Sequence, residues 1–351
     1  MDFSVVVISR NRPRYLERLF GYFATEGLEA PIFLGDASAP DEAEEVATVC
    51  ARYGAKLDIR RTSYEFSSPP MGRLRREFDK VDTAAAIWVG DDDLVSPRVL
   101  REAADRLARS PECAAVTGRS VTFTVTGDGP LGKVSGLGDY LQKGYPQALA
   151  SERLLAQAKD GTALTYSLRR TAVVRRVLGD IDDLDLPDDA LGYYLFELLD
   201  GMLTVLAGQV DLLDDVMMAR QVHPGSTAAA ELKSTDRLGL LVRPDWPDAF
   251  GKAQDLVAGR LSGMQTGLGS DEARETAGSA LWIRVRAKID KELGRRIGKR
   301  RGASPGVRAA AALVRLRSGR VLGARGGGEL GRMMKAVECF PAAGGSREDV
   351  K

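Results

Sequence analysis

Three cysteines, a single histidine and an aromatic content of 6% are what this 351-residue chain has least of. Cys50, Cys113 and Cys339 are odd in number and follow no spacing pattern. That excludes a disulfide framework and a cysteine-based zinc site, and it fits a reducing cytoplasm. No run of eighteen apolar residues occurs, so no membrane-spanning helix is expected. The opening apolar run is too short and wrongly flanked for a signal peptide, and it reads as a first strand. No Gly-x-Gly-x-x-Gly follows a strand, which disfavours a nicotinamide dehydrogenase. Sparse aromatics and the lack of a recognised module argue against nucleic acid as a partner.

What is present is an ordinary globular composition, 44% hydrophobic and 28% charged, over a length that suits two domains or one large one. The net charge of +1 hides an asymmetry. Between residues 284 and 335 sixteen basic residues face three acidic ones, so this segment carries +13 and the rest of the chain −12. A basic appendage on an acidic body is the reading. Its Lys/Arg-rich helices could lie on an anionic membrane surface, form a solvated extension or make an oligomer contact.

Along the first 110 residues strand and helix patterns alternate. Strands are expected at 3–9, 31–34, 56–59 and 85–89, and helices from Pro13, over 41–53, 71–80 and 97–109. Alternation of this kind implies an α/β layered sheet of parallel strands. Further on, a strand is expected at 114–125, a Gly-rich loop at 126–146, a helix at 151–159, a short strand at 164–168 and a helix at 171–178. A loop with six aspartates spans 180–189, followed by an apolar helix at 191–207 and a strand at 210–219. After His223 only helices are expected, at 231–241, 250–261, 272–293 and 307–316. A glycine hinge is read at 326–328 and a disordered tail at 344–351.

In parallel sheets ligands bind beyond the carboxyl ends of the strands. Ser9-Arg10-Asn11, Asp36 and the triplet Asp91-Asp92-Asp93 all fall at such ends. Three adjacent carboxylates repel one another unless something positive sits among them, and a divalent cation suits carboxylate oxygens. The plainer reading is an acidic turn leading into the helix at Ser96-Pro97.

These blocks, taken in order over roughly residues 2–226, resemble a glycosyltransferase of the GT-A fold, and most of all family 2, the inverting nucleotide-sugar transferases. The run from Val5 to Pro13 resembles the first strand and the Asn-Arg turn that meets the nucleobase. Phe33 to Ser38 is similar to the second strand with its Asp-x-Ser ending, and Val89 to Leu94 to the metal-binding Asp-x-Asp strand end. Leu186-Pro187-Asp188-Asp189 resembles the Glu-Asp block that carries the catalytic base, and the run from Arg220 to Ser226 the block that closes the domain.

The resemblance implies a Rossmann-like mixed sheet with helices on both faces over residues 1–228. A helical basic region over 229–343 and the tail complete the chain. It further implies Ser9, Arg10, Asn11, Asp36, Arg73, Arg75 and Asp91 as nucleotide-binding residues. Asp91, Asp92, Asp93 and His223 would hold Mg2+ or Mn2+. Asp189 would act as the base, with Asp188 as the fallback. Two registers of the triplet stay open: Asp92 leads if Gly90 replaces the family's first Asp, and otherwise Asp91 and Asp93 do. Arg75-Arg76 stands where the family often has Arg-Asn.

The implied partners are a nucleoside-diphosphate sugar, with UDP as the expected nucleotide, and a saccharide, lipid-linked or small-molecule acceptor. The implied place is the cytoplasm, or the inner face of a membrane through the basic region. A sugar nucleotidyltransferase and a non-catalytic nucleotide-sugar-binding or scaffold protein of the same fold are the alternatives. The first would carry a Gly-rich loop after the first strand, where Arg10-Asn11-Arg12-Pro13 has no glycine.

Overall fold

A computed structural model describes residues 1–127, 129–224, 237–301 and 328–339. Its elements run β1 Phe3–Ser9, α1 Pro13–Thr25, β2 Ile32–Asp36, α2 Pro40–Tyr53, β3 Ile59–Ser63, α3 Pro70–Lys80, β4 Ala85–Gly90, β5 Asp93–Val95 and α4 Pro97–Arg109. There follow β6 Cys113–Val125, β7 Val134–Tyr140, α5 Ala150–Asp160, β8 Leu168–Arg170, α6 Thr171–Asp182, α7 Ala190–Ala207 and β9 Gln209–Gln221. The last are α8 Arg237–Leu241, α9 Trp246–Met264, α10 Ser270–Arg301 and α11 Glu329–Cys339. Helices α1 to α4 all open on proline, whose fixed φ and missing N–H suit the first turn.

The sheet has the order β3-β2-β1-β4-β8-β6-β9-β5, with β7 added to β6. Strands β1 to β4 are parallel. The other half is mixed: β8 lies antiparallel between β4 and β6, β6 and β9 are parallel, and β5 returns antiparallel on β9. The purely parallel arrangement implied by the alternation therefore holds for the first half only, and the mixed α/β sheet for the whole.

Alternation along the strands feeds two cores. Phe3, Val5 and Val7 of β1 and Ile87 and Val89 of β4 face α1, α2 and α4, while Val6 and Ala86 face α3, α6 and α7. Helix α7 is apolar and long enough to cross a membrane by composition, yet most of it is buried here as the central helix of the second layer. The buried pair Arg169–Asp200, 2.6 Å apart, ties α7 to β8.

Several boundaries differ from expectation for local reasons. The Gly-rich stretch 126–146 contains β7. Gly136 and Gly138 sit opposite Thr124 and Thr122, and a Cβ at either would come within 2.8 Å of the threonine hydroxyl. These glycines are thus a packing requirement of a strand and not a loop signal. The third strand lies at 59–63, past the expected 56–59, and β8 begins where the strand expected at 164–168 was to end. Asp93, read as part of a turn, opens the three-residue β5.

Beyond residue 228 the described helices pack onto the body. Phe250, Ala253, Val257, Leu281 and Val285 of α9 and α10 join the core of α5 to α7. On the opposite face Met333 and Val337 of α11 join the core that holds Phe3 and Val5, with α11 lying on α1, β7 and β9. Glu329 at the start of α11 is buried, accepting from Ser96 Oγ at 2.7 Å and pairing with Arg98. Of the basic residues, Lys288 pairs with Glu197 at 2.8 Å, and Arg332 pairs with Glu26 at 3.0 Å and with Glu329. The helix expected at 307–316 and the tail at 344–351 lie outside the described residues, as does most of the hinge at 326–328.

Truncating Met333 to Ala tests this docking. The cavity is expected to cost about 2–5 kcal/mol, read as a lower urea midpoint with an unchanged slope; an unshifted midpoint would refute the packing of α11.

Candidate functional site

Register brings the candidate residues together. Ser9 pairs with Asp36 across β1 and β2, and Ile8 with Gly90 across β1 and β4, so Ser9, Asp36 and Asp91 leave the sheet side by side. After β1 the chain turns through Asn11, which adopts a left-handed φ of 57°. Asn11 Oδ1 accepts from Ala39 N–H at 2.8 Å and its own N–H donates to Ser38 Oγ at 2.8 Å, so the two strand-end loops are knitted into one rim.

Asp36 is fully engaged within the protein. Ser38 N–H and Oγ donate to Oδ1 at 3.0 and 2.6 Å, and Arg61 Nε and Nη2 donate to Oδ2 at 3.1 and 2.7 Å. Those four bonds match the capacity of a carboxylate. Arg73 is buried and donates to the Ser9 carbonyl at 2.7 Å; burial pulls its pKa below the ordinary arginine range. It is a strut under the rim. Arg10 lies over the Phe66 ring, 5.3 Å from its centroid.

The acidic triplet is matched by guanidinium groups. Arg12 Nη1 donates to Asp91 Oδ1 at 2.7 Å and to Asp92 Oδ2 at 3.1 Å. Ser9 Oγ donates to Asp91 Oδ2 at 2.7 Å, and His223 Nε2 lies 2.9 Å from Asp92 Oδ2. Arg18, buried on α1, donates to the Asp92 carbonyl at 2.6 Å and to Gln221 Oε1 at 2.5 Å. Asp93 accepts from Gln221 N–H at 3.0 Å, with Arg220 Nε 3.7 Å away.

These surroundings separate the three carboxyls. Burial and the neighbouring Asp92 push Asp93 up to about 8, and burial raises Asp91 as well. Burial also opposes ionisation of Asp92, but His223 and Arg12 outweigh it and hold that carboxyl below its usual range. Burial lowers Arg18 to about 10, whereas Arg12 is raised because Asp91 and Asp92 outweigh its desolvation. Tyr15 braces the arrangement. Its ring stacks on His223 at 5.2 Å and carries Arg12 and Arg18 at 5.4 and 5.5 Å.

Among the described residues no three His, Cys, Asp or Glu side chains converge as a metal-binding set. The expected quartet is divided. Asp92 and His223 meet, Asp91 turns to Ser9 and Arg12, and Asp93 turns to the β9 backbone. The donor set present does not fit a divalent ion, because Arg12 already bridges Asp91 and Asp92.

The expected base lies in a groove of about 440 Å³ lined by Met71, Arg75, Asp188, Asp189, Tyr193 and Phe196, among others. Asp189 caps α7, its Oδ1 accepting from Leu191 N–H at 2.8 Å and Gly192 N–H at 3.4 Å, while Oδ2 accepts from Arg243 Nη1 at 2.7 Å. Gly192 is required, since a Cβ there would lie 1.8 Å from the Pro187 carbonyl oxygen. Arg75 pairs with Asp182 on the groove wall, so it stands with the acid pair and apart from the strand-end rim.

Tyrosines flank the arginine beside Asp93. Arg220 is held between Tyr140 and Tyr166, 4.8 and 4.7 Å from their centroids. Burial raises the Tyr166 hydroxyl well above its usual pKa, and Arg220, Asp93, Tyr140 and Tyr193 all act on it.

No protein-family model matches the chain and no curated protein matches it. The fold is similar to that of S. aureus TarS. The structure of TarS 1–349 is 16% identical with a TM-score of 0.47, covering 85% of this chain and 92% of that one. Its complex with UDP-GlcNAc is 16% identical with a TM-score of 0.48 over the same shares. A longer TarS chain is 18% identical at a TM-score of 0.44, covering 76% of this chain and 45% of that chain. The present chain thus spans under half of the longer one.

Arg12, Tyr15, Arg18 and Arg220 were not singled out from sequence as site residues. Tyr15, Arg18 and Tyr22 share one helix face by their spacing, a signal that was available. Arg220 could have been found as the neighbour of Asp93 only with the β5–β9 register in hand.

The raised pKa of Asp93 has a stability consequence. The unfolded chain releases this proton near the ordinary value of roughly 4, while the folded chain keeps it up to about 8. Between those values the folded state binds more protons, so stability falls as pH rises. Asp93→Asn keeps an acceptor for Gln221 N–H and removes that slope. Its stability advantage over wild type in urea titrations is expected to widen from pH 5 to pH 8.

Proposed function

We propose that this chain is a GT-A glycosyltransferase that moves a sugar from a nucleoside-diphosphate sugar, with UDP the favoured nucleotide, to an acceptor hydroxyl with inversion. The observation that carries this reading is the convergence of Ser9, Asp36 and Asp91–Asp93 at the carboxyl ends of three adjacent parallel strands. Parallel sheets hold their ligands there. The carboxylate groove, with Tyr193 on its wall, supplies a second requirement of the chemistry.

In this mechanism the nucleotide lies over the rim formed by Ser9, Asn11 and Asp36, with Arg10 and Phe66 at its edge. Recognition of a uracil imide N–H by Asp36 requires that one bond from Ser38 or Arg61 be given up. The acceptor occupies the groove. Its hydroxyl oxygen attacks the anomeric carbon while the bond to the diphosphate oxygen breaks, and the leaving nucleoside diphosphate takes the electron pair. Asp189 takes the hydroxyl proton on Oδ2, the oxygen now paired with Arg243, and Asp188 is the second carboxylate at hand. The acceptor class is a saccharide, a lipid-linked sugar or a small molecule. Residues 10–13 lack the glycines of a nucleotidyltransferase phosphate loop, which favours transfer of the sugar over its activation.

Calorimetry with UDP and GDP tests the donor half, and UDP is expected to bind the more tightly. For the chemistry, Asp189→Asn keeps the helix cap and removes the base. Transfer is expected to drop by about 10²–10⁴-fold with UDP binding unchanged. Equal transfer by the variant and wild type would sink the assignment of Asp189, and failure of either nucleotide to bind would favour a scaffold role.

A further inference from the structure

The acidic strand end already holds a cation, and it is part of the chain. A single nitrogen, Arg12 Nη1, touches one oxygen of Asp91 and one of Asp92. A divalent ion shared by these carboxylates would need those same oxygens, at closer range than a guanidinium nitrogen. Asp91 Oδ2 is engaged by Ser9 and Asp93 Oδ1 by the Gln221 N–H. Three guanidinium groups, of Arg12, Arg18 and Arg220, already stand against Asp91, Asp92 and Asp93, so no negative charge is left over. A dication added to that group would leave it strongly positive in a buried setting, where excess charge is costly.

Arg12 is also held in place by the backbone. The left-handed Asn11 turns the chain, Arg12 occupies the cap position of α1, Pro13 fixes the first turn, and the guanidinium rests over Tyr15. Little conformational freedom is left to lose, which strengthens the resident cation against a mobile one.

We propose that Arg12 fills the cation position between Asp91 and Asp92, so that this strand end binds no divalent metal. Building on the proposed donor reading, the diphosphate then meets a guanidinium, which is suited to phosphate oxygens.

The test is Mn2+ titration of the full chain, followed by loss of the free-ion EPR signal, on wild type, Arg12→Gln and Asp92→Asn. Wild type and Asp92→Asn are expected to take up Mn2+ equally weakly. Arg12→Gln, which uncovers the carboxylate pair, is expected to bind it roughly tenfold or more tightly. One tight Mn2+ per wild-type chain that Asp92→Asn abolishes would overturn the proposal, as would no gain in Arg12→Gln. If Arg12→Gln does not fold, the comparison of wild type with Asp92→Asn decides alone. UDP is titrated separately onto wild type in EDTA. Failure to bind there and with Mn2+ counts against the donor reading and leaves the Mn2+ comparison standing.

Discussion

Three consecutive carboxylates at the end of a buried strand are tolerable only with positive charge in their midst, and much of the site follows from how this chain supplies it. Arg12 comes from the cap of α1, Arg18 from α1 itself, Arg220 from β9, and His223 from just past β9. Each comes from a distant part of the sequence, so assembling the triplet requires the whole sheet. The three aspartates are therefore as much a folding constraint as a chemical one. In the low-dielectric interior, leaving one of them unpaired would be strongly destabilising.

Helix α1 is the principal carrier of that compensation. One side of it buries Leu16, Leu19 and Phe20 against the sheet. Tyr15 and Arg18, one turn apart, brace the strand end instead. The same helix thus serves the core and the site, and the Asn11 kink sets its direction. The rim residues behave similarly: Asp36 and Arg73 spend their hydrogen bonds holding loops together, so the surface offered to a ligand is shaped before any ligand arrives.

The first half of the fold was legible in the sequence because strand runs, proline-opened helices and strand-end polar residues repeat in phase there. The second half was less so. Strand β7 was hidden by glycines whose purpose is to admit threonines from the neighbouring strand, and β5 is only three residues long. The acidic triplet was recognised, but the identity of its counter-charge was not. Spacing along a chain cannot reveal that Arg12 points to Asp91 and Asp92 until the parallel pairing of β1 and β4 is known. Asp189, expected as the base, is also the cap of α7. Its pairing with Arg243, 54 residues on, had no local signal.

The seating of α11 against α1, β7 and β9 bears on how the chain is made. Helix α1 thus packs against a helix more than 300 residues further along. During synthesis from the N-terminus, the side of α1 that meets α11 stays uncovered until residues 329–339 have emerged. A contact of such sequence separation carries a large closure entropy and forms late. Until then the nascent chain exposes one side of the helix that braces its acidic strand end.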